Sequence, residues 1–237
     1  MEQLETVNAG SPESRGTNAL PSSPCPKNAY SFAEELVNSI SHGIGALLST
    51  AALVLLIVRA ATHAPVGRTG SCVVGFTIFG VALLILYLMS TLYHSMLPRK
   101  ARHVFKILDH SAIYILIAGT YTAFCLSILY GAMGWTLFGL IWGLAALGVT
   151  LDSVFDCRLK WVSLPLYILM GWLVLIAIKP LMANLPPLSL RFLVIGGVSY
   201  TAGCLFFVLR HKWMHAIWHF FVLGGSICHF FSVFFAI

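Results

Sequence analysis

Three short polar clusters interrupt the apolar stretches of this chain, and histidine dominates them. His215 and His219 are four residues apart. On an α-helix that spacing stacks two imidazoles on one face, which suits two nitrogen ligands on one metal ion. Ser90 and His94 share the spacing, and Leu108-Asp109-His110-Ser111 adds a carboxylate. If the elements that bear them pack together, His94, His215 and His219 supply three nitrogens and leave a fourth position for water. That is the pattern of a catalytic rather than a structural zinc site. Imidazole-rich tetrahedral sites suit zinc and no thiolate is placed to compete, so Zn2+ is the expected cofactor. Asp109 then either holds the water or acts as general base, and Ser90 either hydrogen-bonds the site from behind or touches substrate. The chain has no His-Glu-x-x-His, so a base must come from outside the ligand helix.

Plainer roles compete at each position. A single histidine near a helix end serves as an interfacial group, and Asp109 reads equally as an N-terminal carboxylate that favours the helix macrodipole. His110 points about 100° away from Asp109 on a helix and reads as a packing or interfacial group. His229 lies ten residues beyond His219, about 15 Å along a helix. It is too deep for the same metal and is expected to be hydrogen-bonded in the bundle. His63, His103 and His211 read as loop residues.

The elements that position these clusters are membrane spans. The 237 residues are 59% hydrophobic and only 9% charged, whereas soluble chains carry roughly a quarter charged residues. Intervals free of Asp, Glu, Lys and Arg run Leu36–Val58, Thr69–Pro98, His110–Leu151, Trp161–Ile178, Phe192–Leu209 and Trp213–Ile237. One helix needs roughly 20 residues to span. The third interval therefore holds two spans, turning at Tyr130-Gly131-Ala132-Met133-Gly134-Trp135, and the expected fold is an all-α seven-transmembrane bundle occupying 29–237. Pro180 to Leu190, with Pro186 and Pro187, reads as a loop that cannot continue a helix. The basic excess, +6 overall, is spread between apolar runs, which excludes a nucleic-acid partner.

Loops retained in the cytoplasm are enriched in Lys and Arg. Arg15, Lys27, Arg99, Lys100, Arg102, Lys106, Arg158, Lys160, Arg210 and Lys212 fall on the N-terminal side, ten against the four of Arg59, Arg68, Lys179 and Arg191. The N-terminus is therefore expected in the cytoplasm and the C-terminus outside, in the inner (cytoplasmic) membrane, with membrane lipids as partners and anionic headgroups near the basic loops. No oligomeric partner is named by the sequence. In this frame Ser90/His94, Asp109 and His215/His219 lie at one depth, near the cytoplasmic face, with the basic loop Arg99–Lys106 between the first two. Asp109 is then the one intramembrane carboxylate. Residues 1–28, rich in Ser, Pro, Asn and Glu, read as a disordered cytoplasmic tail. They lack the pattern of a signal peptide. The six cysteines have no Cys-x-x-Cys spacing and read as reduced packing residues. Gly224-Gly225 and Gly119-Thr120 read as close-packing sites. Glu34, Glu35 and His42 either open the first span as an acidic helix start or shape the entrance to the site and relay protons.

These residues together resemble the haemolysin III family, the bacterial branch of the progestin and adipoQ receptor family. The resemblance is carried by Glu34-Glu35-Leu36-Val37-Asn38-Ser39-Ile40-Ser41-His42-Gly43, Ser90-Thr91-Leu92-Tyr93-His94, Asp109-His110-Ser111-Ala112-Ile113-Tyr114, and His215-Ala216-Ile217-Trp218-His219 with Cys228-His229. It covers the chain from about residue 30 to the end. The resemblance implies seven helices, a cytoplasmic N-terminus, an intramembrane zinc on His94, His215 and His219, and the family's Ser and Asp at Ser90 and Asp109. The wider superfamily includes alkaline ceramidases, which implies a zinc-dependent hydrolase of a lipid amide. The family's name implies instead a cytolytic, pore-like activity with structural zinc, and some members are associated with membrane homeostasis, which implies a lipid-sensing regulator or receptor.

Overall fold

The computed structural model describes residues 30–155, 160–209 and 211–237. The expected tail, Cys25 and Cys157 lie outside them. Among the described residues every regular element is helical, and seven helices are long and apolar enough to cross a membrane. They are α1 (Phe32–His63), α2 (Thr69–Ser95), α3 (Arg99–Ser127), α4 (Ala132–Phe155), a fifth span of α5 (Lys160–Trp172), a 3-10 segment (Leu173–Ala177) and α6 (Ile178–Asn184), then α7 (Pro187–Val208) and α8 (Met214–Phe234). In lipid each backbone amide must be bonded within its own segment, so continuous helices are what these apolar runs can form.

Local chemistry sets the helix ends. Ser31 caps α1 through a reciprocal box with Glu34, satisfying two otherwise orphan amides. Gly131, at φ +82°, turns the chain between α3 and α4, as the glycine-flanked turn predicts. Two boundaries differ from expectation. The stretch Arg99–Lys106 is not a loop, because α3 starts directly after its N-cap Pro98. Arg, Lys and Ala are good helix formers, so the helix extends beyond the apolar interval. Asp109 is thus three turns into α3, and the macrodipole reading of it fails. Helix also continues past Pro180 to Asn184, with the break at Leu185–Pro186. Pro180 falls in the first turn of α6, where its missing N–H is no loss.

α1 packs on α2, α2 on α3, α3 on α4 and α7 on α8, while α8 returns to α1. Spans two and seven share little direct backbone packing; both lean on α1. They are joined by side chains, with the Tyr87 hydroxyl donating to Ser226 Oγ at 2.7 Å. Small residues set the close approaches. A Cβ on Gly119 would lie 2.8 Å from Ala82, one on Gly225 3.0 Å from the Tyr200 ring, but one on Gly224 only 3.5 Å from Ser199. Close packing thus holds for Gly119 and Gly225 and not for Gly224. The described cysteines, Cys72, Cys125, Cys204 and Cys228, are free.

A tighter glycine seat gives a stability test. A Cβ on Gly148 would meet the Tyr114 ring at 2.3 Å, whereas one on Gly143 meets nothing within 4 Å. Gly148→Ala is expected to cost about 1–3 kcal/mol through overpacking, read as a lower Tm in detergent. Gly143→Ala should hold or raise Tm, since alanine is the better helix former. Equal Tm values for the two variants would contradict this packing.

Candidate metal centre

The three histidines predicted from spacing converge. His94 is in the last turn of α2, and His215 and His219 are in the first two turns of α8. Their Nε2 atoms point at one another, His94 to His215 at 3.3 Å and His215 to His219 at 3.1 Å. One nitrogen from each lies within 4.8 Å of the others. Zinc–nitrogen bonds of about 2.0–2.1 Å in a tetrahedron place ligand nitrogens about 3.3–3.4 Å apart. The donor set therefore fits zinc in element, number and spacing. His94 and His219 are buried.

Asp109 and Ser90 stand beside this triad. Both are buried, and His94 and Ser90 are the groups that act on the Asp109 carboxyl. Ser90 Oγ has no hydrogen bond of strict geometry, its interaction being with the Asp109 carboxyl. Both residues line a small cavity with His215 and His219. Its other wall is apolar, formed by Ile113 of α3, Phe207 of α7 and Trp218 and Val222 of α8. His110 lines the same cavity, so it is nearer the site than its 100° offset suggests.

The first span contributes more than an acidic helix start. Glu35 accepts a hydrogen bond from His94 Nδ1 at 2.6 Å and pairs with Arg102 of α3. Ser41 Oγ lies 3.5 Å from His219 Nδ1. The His42 ring stacks on His219, with centroids 3.6 Å apart and planes at 14°, and meets the edge of Tyr87. Tyr30, just before α1, stacks on His215 at 4.9 Å. Burial pushes its phenol well above the ordinary range, so the ring stays neutral over the imidazole. Glu34 behaves as the plainer reading expects, capping α1. It also accepts the backbone N–H of Trp213 at 2.8 Å. Trp213 has φ 66°, a left-handed conformation uncommon outside glycine, and this bond fixes the turn that launches α8 toward the site.

Spacing does not single out Ser41 or Tyr30 as neighbours of the histidines, and it offers Glu35 only as one of two alternatives, a residue at the entrance to the site or an acidic helix start. A signal is present nonetheless: Glu35, Asn38, Ser41 and His42 form a polar stripe at helical spacing in an otherwise apolar span, and Asn38 is fully buried.

His229 is buried on α8 and interacts with the Leu193 backbone, without a hydrogen bond of strict geometry, and its ring meets Tyr200 edge-on at 5.2 Å. The niche exists because position 196 is glycine, where a Cβ would lie 2.3 Å from the imidazole. Two further carboxylates are buried, Glu34 in the first turn of α1 and Asp152 near the end of α4, past its apolar interval. Asp152 is held by the hydroxyls of Ser163 at 2.5 Å and Tyr167 at 3.2 Å, apart from the histidines.

The model of the family described as Haemolysin-III related matches residues 30–230. Hemolysin-3 of Bacillus cereus is 50% identical over 203 residues, 85% of this chain and 91% of the relative. The Hemolysin-3 homolog of Bacillus subtilis (strain 168) is 47% identical over 209 residues, 87% of this chain and 95% of the relative. More distantly, the human monocyte to macrophage differentiation factor is 28% identical over 163 residues, 66% of this chain and 67% of that protein. A match across nearly the whole membrane domain, taking in all three histidines, leaves one conclusion: the chain is a multi-pass membrane protein that belongs to the haemolysin-III related family.

Proposed function

We propose that the chain is a zinc-dependent hydrolase of a lipid amide, with its N-terminus in the cytoplasm and its site near the cytoplasmic face. The observation that carries this reading is the convergence of three histidines, His215 Nε2 lying 3.3 Å from that of His94 and 3.1 Å from that of His219, beside a buried carboxylate and a cavity with an apolar wall. When bound, zinc supplies a Lewis acid that polarises a carbonyl and makes water more acidic. Ile113, Phe207 and Trp218 hold an acyl chain and exclude bulk water from the reacting atoms. Ser90 Oγ donates to the substrate's polar group. Asp109 accepts a proton from the attacking water, whose oxygen bonds to the acyl carbon. The carbon–nitrogen bond breaks, and Asp109 returns the proton to the departing amine nitrogen, giving a fatty acid and an amine. Support for an amide comes from the superfamily that includes alkaline ceramidases; support for a lipid comes from a cavity enclosed by membrane spans.

The test is lipid analysis of membranes containing wild-type protein against Asp109→Ala, with metal analysis of both. A free fatty acid and its matching amine appearing only with wild type supports hydrolysis. Identical lipids at equal zinc content overturn it. The relatives' name, Hemolysin-3, supports a second reading, membrane permeabilisation with structural zinc. That reading requires dye leakage from liposomes carrying purified protein, unchanged by Asp109→Asn; liposomes that stay tight overturn it.

A further inference from the structure

The His94 imidazole is held from behind, and the group that holds it is a part-buried carboxylate on a different helix. Glu35 Oε2 accepts from His94 Nδ1 at 2.6 Å, while His94 Nε2 faces the other two ligands. That bond fixes the tautomer with its lone pair on Nε2, the only form able to ligate in this direction. The second carboxylate oxygen, Oε1, is taken by Arg102, one turn into α3. Arg102 also lies over the Tyr93 ring at 5.3 Å, so the carboxylate cannot swing away from His94. Asp109 is seven residues further along α3 on nearly the same face. Glu35 thus joins the helix of one ligand to the helix of the candidate base.

We propose that Glu35 is a positioning residue for the metal centre, orienting His94 and raising its basicity, with Arg102 holding Glu35 in place. The role rests on the zinc reading above. Acidic partners behind ligating histidines commonly govern affinity in this way. A carboxylate that merely strapped α1 to α3 would act through Arg102 and leave the metal alone.

The experiment measures zinc affinity of purified full-length protein by chelator competition, and the visible absorption of the cobalt(II) form, for wild type, Glu35→Ala, Glu35→Gln and Arg102→Gln. Glu35→Ala is expected to lose about 10–100-fold in zinc affinity and to change the cobalt spectrum. Glu35→Gln, which keeps an acceptor but no charge, should fall between it and wild type. Arg102→Gln leaves the bond to His94 and should lose less affinity than either Glu35 variant, even if its Tm falls equally. Glu35→Ala binding as tightly as wild type, or Arg102→Gln matching it in lost affinity, overturns the role. If Glu35→Ala does not fold, the comparison of Glu35→Gln with Arg102→Gln decides. Wild type that takes up neither zinc nor cobalt overturns the zinc reading itself, an outcome distinct from equal binding by all four proteins.

Discussion

His219→Ala is expected to empty the site. Zinc affinity should fall by more than the roughly 100-fold that marks the upper range for an outer partner, because a ligand itself is removed and two nitrogens remain. His219 is the most enclosed of the three, 1% exposed, with Nε2 3.1 Å from that of His215. Its neighbour complicates the simple outcome. His42 is stacked on it at 3.6 Å, with both ring nitrogens lacking a hydrogen bond of ordinary geometry, and the space left by alanine lets that ring move toward the metal. The double variant His42→Ala/His219→Ala removes this substitute. Any zinc retained by the single variant should be absent from the double. His229→Ala is the control on the same helix, about 15 Å away, and should keep wild-type zinc. Metal analysis of the purified proteins, with circular dichroism to confirm helix content, reads the result. His219→Ala and the double variant both binding zinc as wild type does would remove His219 from the site.

The same residues show how far a sequence alone reaches. Charge is so costly in hydrocarbon that intervals without it mark seven spans, and the depth of each polar cluster follows from its distance to an interval's end. Histidines four apart on one helix are legible because helical spacing is local. Interval ends, however, report lipid depth rather than helix ends. Arg99–Lys106 is helical and helix persists through Pro180 and Asp152 because a helix can extend past the hydrocarbon. Glu35 is harder still. In the first turn of α1 a glutamate reads as a partner of the macrodipole, and its true partners, His94 and Arg102, are 59 and 67 residues away. Nothing local encodes that pairing. It follows from α1 packing between α2 and α8, which the sequence suggests only through the polar stripe from Glu35 to His42.

Asp109→Asn separates chemistry from metal binding. Asparagine matches aspartate in size and keeps the contact with Ser90, but it cannot take a proton from water. If Asp109 is the general base, lipid turnover should fall on the order of 10²–10⁴-fold, about 2.7–5.4 kcal/mol of barrier at 1.36 kcal/mol per tenfold, while zinc content stays at the wild-type level. Ser90→Ala removes one neutral hydrogen bond to substrate, worth about 0.5–1.5 kcal/mol, and should slow turnover only about 2- to 13-fold by the same conversion. The ordering of the two effects carries the assignment. An Asp109→Asn protein that loses zinc would make Asp109 a ligand, and the triad of histidines a set of four. One that keeps both zinc and turnover would move the base elsewhere. Glu35 would then be the nearest carboxylate to the histidines, but both its oxygens are already engaged, one by His94 and one by Arg102. Glu34 is spent on Ser31 and Trp213. Asp109 is thus the carboxylate among the described residues that borders the cavity with accepting capacity to spare, and Ser90 beside it marks where a substrate's polar group meets both.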